Sequence, residues 1–209
     1  DEIYLSILTV TKEPLFYSPD GHTLRIFLDT DDSFETGYFI PGMGADYLVE
    51  VFGQKSPAST NVTILSSVLY SFDESRESND WNSFFPIANV ETAALSKYTE
   101  CRVPFFDISS TQSSPKKIAW QTSDGQESTD ISEIILGVNT ESVMLEEAKS
   151  SLQRNPEVPS PSNLVIDGHF DDWKFIEKYQ DSDWNEYQKS PSVTENPNVD
   201  IERYKGVSD

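Results

Sequence analysis

Four carboxylates fall within seven residues at positions 29 to 35, where the sequence reads Asp-Thr-Asp-Asp-Ser-Phe-Glu. Hard cations such as calcium collect roughly six to eight oxygen ligands from loops of this kind. The spacing nominates Asp29, Asp31, Asp32 and Glu35 as a calcium set. It is not the helix-loop-helix pattern, because the glycine of the sixth position and the glutamate of the twelfth are absent. A solvated hairpin turn is the competing reading. Asp167, Asp171 and Asp172 form a second acidic group, which can equally cap turns through side-chain to backbone hydrogen bonds.

Aromatic residues offer a different chemistry. Trp81, Phe84 and Phe85 sit beside a polar loop, and exposed rings there would stack on a sugar; packing over the open end of a sandwich is the alternative. Trp184 and Tyr187 have more polar neighbours and suit an interaction surface. Asn61-Val62-Thr63 is the only glycosylation sequon, so Asn61 carries a glycan if the chain is secreted. No Gly-x-Ser-x-Gly elbow, paired-cysteine metal site or phosphate-cradling glycine loop is present. His22 follows a turn and His169 reads as solvent-facing. With 36 acids, close carboxylate pairs carry no weight as glycosidase evidence. An enzyme is not expected.

The elements that would position these residues read as strands. Leu24, Ile26 and Leu28 alternate onto one face, as do Tyr47, Val49 and Val51, and residues 62–72 form a long serine-spaced strand. Residues 3–10, 93–108, 116–121 and 131–138 add further strands. Turn signals punctuate them at 18–21, 41–44, 73–80 and 123–125. Residues 141–153 fit a short helix or a strand equally. Strands at this spacing predict an all-β protein, an antiparallel β-sandwich of jelly-roll or immunoglobulin-like type.

Bulk properties bound the partners. The chain has 209 residues and a net charge of −21, from 36 acidic against 15 basic residues. Nucleic acid is excluded as a partner, because its phosphates need a basic surface. No apolar run approaches transmembrane length and no signal peptide is visible, which fits a cytosolic protein or a processed product. Cys101 is the one cysteine, read as a small buried hydrophobe.

Residues 166–173 read Ile-Asp-Gly-His-Phe-Asp-Asp-Trp. This stretch resembles the I-D-G-x-x-x-D-W opening of domains similar to family-nine carbohydrate-binding modules and DOMON-like sandwiches. Residues 25–50, with Asp-Thr-Asp at 29–31, Thr36-Gly37-Tyr38 and Gly44-Ala45-Asp46-Tyr47, resemble the central strands of the same domains in archaeal and bacterial surface proteins. The resemblance covers residues 1–135 and 163–209. It implies an extracellular or cell-surface sandwich used for sugar binding, redox-cofactor binding or surface assembly. Haem-binding members need axial His or Met, and His22, His169, Met43 and Met144 lie in turns or at linker edges, so no haem is expected and calcium is the sole cofactor in view.

In that family the I-D-G opening precedes the other block; here it follows. The chain therefore divides into a main sandwich at 1–138, a linker at 139–162 stiffened by prolines, and a segment at 163–209. Written end to end, residues 204–209 and 1–6 make strand, polar turn and strand. Three connections satisfy this: donation of the segment to a neighbouring copy, a tandem array, or closure upon the chain's own body. The stiff linker and the cost of a bare edge at Tyr4 to Val10 favour donation. Head-to-tail donation does not close, so it builds a fibre. The expected interface is Ile166, Phe170, Trp173, Val199, Ile201, Tyr204 and Val207 against Tyr4 and Leu5. Its apolar burial is worth on the order of 10 kcal/mol before entropy. On this reading the protein is a subunit of an extracellular filament or surface layer whose partner is itself; a monomeric carbohydrate-binding module, with glycans as partners, is the alternative.

Overall fold

The computed structural model describes residues 4–56, 62–108, 117–125, 129–132, 135–136, 164–175, 179–180, 184–185, 190–191 and 201–208. The strands are β1 (Tyr4–Thr11), β2 (His22–Asp29), β3 (Tyr38–Ile40), β4 (Met43–Ala45), β5 (Tyr47–Lys55), β6 (Val62–Phe72), β7 (Phe84–Asn89), β8 (Glu91–Leu95), β9 (Tyr98–Pro104), β10 (Lys117–Ser123), β11 (Thr129–Ile131), β12 (Ile135–Leu136), β13 (Tyr179–Gln180), β14 (Trp184–Asn185), β15 (Ser190–Pro191) and β16 (Ile201–Ser208). One sheet runs β13-β16-β1-β9-β8. The other runs β11-β10-β2-β5-β6-β7, with β12 also beside β10. The pairs within both sheets are antiparallel, so this is the all-β sandwich that the alternation predicts.

Period-two alternation explains the shared core. Leu24, Ile26 and Leu28 of β2 and Val49 and Val51 of β5 point inward to meet Leu5 and Ile7 of β1, Cys101 and Val103 of β9, and Ile201 of β16. Trp120 of β10 is fully buried in the same cluster. Burial pushes the Cys101 thiol up to about 12, which leaves it an inert apolar filler.

The outer face of each sheet is covered too. Leu8 and Val10 of β1 pack under Leu164 and Trp173, with Tyr98 and Phe170 at the margin. Phe27, Leu48 and Ala119 pack under Met43 and Ala45 of the β3–β4 hairpin. A strand covered on both faces leaves no room for charge, which is why β1 carries no charged residue and buries even Ser6, Thr9 and Thr11 among its apolar neighbours.

Two expectations change. The range 93–108 is not one strand: Ser96 takes a positive φ of 56° and turns β8 into β9, and residues 105–108 form a short helix. The edge at Tyr4 to Val10, whose exposure would be costly, is covered: β1 is central, paired with β9 on one side and β16 on the other. Most importantly, the C-terminal segment expected to complete a neighbour completes the sandwich of its own chain. Leu5 pairs with Ser208, Ser6 with Val207 and Thr9 with Tyr204. Closure upon the same chain brings the partner strand in at a high effective concentration. Val199, Asn61, Tyr187, Met144 and the proposed linker lie outside the described residues.

His22, read as a turn residue, instead begins β2 and is buried, its Nδ1–H donating to the Leu15 carbonyl. Burial holds its pKa below the ordinary 6.5, opposed by the charge of Asp124. A base whose folded pKa is depressed contributes stability above its unfolded value and loses it as pH falls through that value. The wild type should therefore lose more stability than His22→Gln on acidification from pH 7 to below 6.5, as followed by urea midpoints; equal losses would contradict a neutral buried imidazole.

Candidate functional site

The outer face of the larger sheet carries an open concavity. Its floor is Arg25 and Phe27 of β2 with Ala119 and Gln121 of β10, and its walls are Tyr38, Phe39, Ile40, Pro41, Trp81 and Ile131. The cleft has a volume of about 360 Å³, within the range of small-ligand sites. The odd-numbered residues of β2 reach this face because the even ones are committed to the core.

The rings pack edge to face. Tyr38 meets Trp81 at 5.4 Å between ring centroids, and Trp81 meets Phe84 at 5.4 Å. Phe27 and Tyr38 are stacked at 6.5 Å. Trp81 and Phe39 nevertheless remain 38% and 51% exposed, so both leave ring surface open to a ligand. A short 3₁₀ turn at Trp81–Ser83 holds the indole, capped by the Asp80 carboxylate accepting from the Asn82 N–H. The Phe39 N–H donates to the Ser78 carbonyl at 2.7 Å, tying the hairpin to the same loop.

Polar groups are placed at the floor. Arg25 Nε donates to Glu50 Oε2 at 2.8 Å, and its Nη1 donates to Gln121 Oε1 at 3.3 Å. The Arg25 guanidinium also lies over the Trp81 ring, 4.9 Å from its centroid. A cation held between a carboxylate, an amide and an indole is a rigid hydrogen-bonding post.

Beside the hairpin, the β2–β3 connection gathers carboxylates. One ligand atom from each of Asp29, Asp31 and Asp46 lies within 4.8 Å of the others. Two of the expected calcium residues are thus together, and Asp46 joins them from the β4–β5 junction. Asp32 is diverted to Lys117, Nζ to Oδ1 at 2.7 Å. Glu35 is outside the group; its backbone N–H donates to Ser33 Oγ. Asp46 Oδ2 accepts from the Thr30 N–H and Oγ1 at 2.7 and 2.6 Å. Burial pushes Asp29 and Asp46 above the ordinary carboxylate range, against the hydrogen bonds and the Lys117 charge that oppose it.

On the opposite sheet, the Ile-Asp-Gly-x-x-x-Asp-Trp stretch has a structural chemistry. Glu100 of β9 is fully buried beneath it. Its Oε1 accepts from the backbone N–H groups of Asp167 and Gly168 at 3.0 and 2.8 Å, and its Oε2 from Trp173 Nε1 at 2.8 Å. Gly168 has φ +82°, a conformation that L side chains rarely adopt, which is what turns both N–H groups toward one carboxylate. Asp167 caps its own turn at His169, and Asp172 accepts from Val165. The turn-cap reading of Asp167 and Asp172 therefore describes what they do. Phe170 stacks on Tyr98 at 5.0 Å. Of the expected interface residues, Ile166, Trp173 and Ile201 are buried, Leu5 is in the core, and Tyr4 is half-buried with the Arg102 guanidinium over its ring.

No family model, no curated protein and no solved structure matches this chain. No helix among the described residues is long and apolar enough to cross a membrane.

Glu100 and Asp46 are the site residues that the sequence did not single out. Glu100 stands in an alternating strand and looks solvent-facing until the segment from residue 164 onward is laid over it. Asp46 lies in the Gly-Ala-Asp-Tyr block but fifteen residues beyond Asp31.

Proposed function

We propose that this domain is an extracellular binding module whose cleft takes a saccharide. The single observation that carries the reading is the pairing of the exposed Trp81 and Phe39 rings with Arg25 and Gln121 in the same cleft, Arg25 being fixed by Glu50 and Gln121. A sugar presents C–H faces to stack on rings and hydroxyls that pair with planar donors and acceptors. The resemblance to family-nine carbohydrate-binding modules supports the same class. A net charge of −21 disfavours acidic polysaccharides and favours neutral ones. The module needs no catalytic group of its own.

Electrophoresis through gels containing neutral polysaccharides tests this reading. Retardation by at least one of them is expected, and Phe39→Ala and Trp81→Ala should each weaken it about tenfold, the loss of one stacking contact worth about 1.4 kcal/mol. Thermal unfolding of each variant separates lost binding from lost fold. Migration unaffected by every neutral polysaccharide would remove the saccharide reading.

A specific observation keeps assembly as a second reading. The contacts of the 164–175 segment and β16 run to residues distant in sequence, Glu100 and β1, so two copies could exchange them without making any new contact. A mass by light scattering that grows with concentration supports a filament subunit; a constant monomer mass removes it.

A further inference from the structure

The acidic group at the end of β2 stands apart from the cleft and from the saccharide reading. Asp29 is 0% exposed. Its Oδ1 accepts from the Asp32 N–H at 2.7 Å, but its Oδ2 has no hydrogen-bond partner and lies 3.8 Å from Lys117 Nζ. That ammonium is closer to Asp32, at 2.7 Å. Asp46 Oδ1 is likewise buried without a hydrogen bond, although Oδ2 of the same group has two. Asp31 lies beside both. The Lys117 ammonium is thus divided between Asp29 and Asp32, and among the described residues one oxygen each of Asp29 and Asp46 is withdrawn from water with no hydrogen-bond donor to meet it.

Leaving such oxygens bare is costly, because a buried charge needs a paired charge or a metal. The Lys117 side chain reaches in from β10 on one flank and cannot hydrogen-bond Asp29 Oδ2 at its present distance. We propose that Asp29, Asp31 and Asp46 bind a divalent cation, calcium, with Asp29 and Asp46 contributing the two oxygens that lack donors. An all-oxygen, carboxylate-rich set selects a hard ion. Calcium suits it better than magnesium, since the ligands come from an irregular loop and a strand junction, and magnesium demands near-ideal octahedral geometry.

The position gives the ion a task. Asp29 and Asp31 begin the connection that leads into β3, and Asp46 follows β4, so the ion ties together the two ends of the segment that carries Tyr38 and Phe39. It fixes that segment as a clasp fixes a loop of cord.

The test is calorimetric titration of the chelator-treated chain with calcium chloride and, separately, magnesium chloride, with thermal unfolding alongside. The expected result is one saturable calcium event that raises the melting temperature, with weaker magnesium binding. Asp31→Asn and Asp46→Asn should each weaken calcium at least about tenfold, whereas Asp73→Asn, at an exposed acid elsewhere, should leave it unchanged. Asp46→Asn also weakens the bonds to Thr30 and risks the fold; Asp31 is exposed, so Asp31→Asn decides the matter if Asp46→Asn does not fold. Absence of a saturable event, or wild-type affinity in Asp31→Asn, would overturn the site. Magnesium binding as tight as calcium would overturn the assignment of the ion.

Discussion

Trp173→Ala is expected to destabilise the domain by about 3–5 kcal/mol, the range for truncating a large buried aromatic side chain. The indole is 1% exposed and supports Leu8, Val10 and Leu164. Its removal opens a cavity and also withdraws one of the three donors around Glu100. A buried carboxylate left short of a donor adds its own desolvation cost. Glu100→Gln isolates that second part: the shape is kept, but the amide presents an N–H group to donors on one side, for an expected loss of about 2 kcal/mol. Urea unfolding followed by far-ultraviolet circular dichroism measures both, and the method does not depend on the deleted fluorophore. A Trp173→Ala midpoint equal to that of the wild type would show that the segment is not docked in solution. A midpoint that rises with protein concentration would mean that another copy supplies the segment.

Gly44→Ala should be the second most damaging single change. A Cβ built at this position falls 1.9 Å from the Thr36 carbonyl oxygen and 2.5 Å from that of Ser33. Both neighbours are backbone, so no side chain can swing aside, and the hairpin must separate from the β2–β3 connection. Overpacking of this kind costs about 3 kcal/mol. The effect is not confined to stability, because displacing β4 moves Met43 and Ala45 off Phe27 and Leu48 and carries the Tyr38 wall with them. Thermal unfolding together with near-ultraviolet circular dichroism of the aromatic cluster reports both consequences. A variant that melts with the wild type and keeps its aromatic spectrum would show that the contact is looser than the geometry requires.

Legibility in the sequence follows how local the cause is. Leu24, Ile26 and Leu28 announce their inward face because alternation is a property of one strand. Tyr38 to Ala45 hides its hairpin, since three-residue strands carry too few positions for a period, and the Met43-Gly44-Ala45 run looks like turn material. The uncharged, β-branched composition of β1 suggests a strand but not its neighbours; only the arrival of β16 from far along the chain makes it central. The aspartates at 29 and 31 are legible as a possible ligand pair, yet Asp46 is not, because the partnership forms only when β5 folds back beside β2. The tryptophan of the Ile-Asp-Gly-x-x-x-Asp-Trp stretch is visible as a motif, whereas its acceptor on β9 is a lone glutamate among strand residues. What pairing in sequence could not determine was direction: the same complementarity between tail and head serves one chain or two, and in the structure it serves one.

The alignment of β1 with β16 has a topological consequence. Because Leu5 lies across from Ser208, the start of β1 and the end of β16 meet at the same corner of the sheet. A short loop joining these two strand ends would make an ordinary hairpin and close the backbone between them into a ring. Such a ring could be reopened at any surface bend with little loss, since joining neighbours that already touch costs only the closure of a short loop. The order of the elements along the polypeptide is then one of several cyclic readings of the same sandwich.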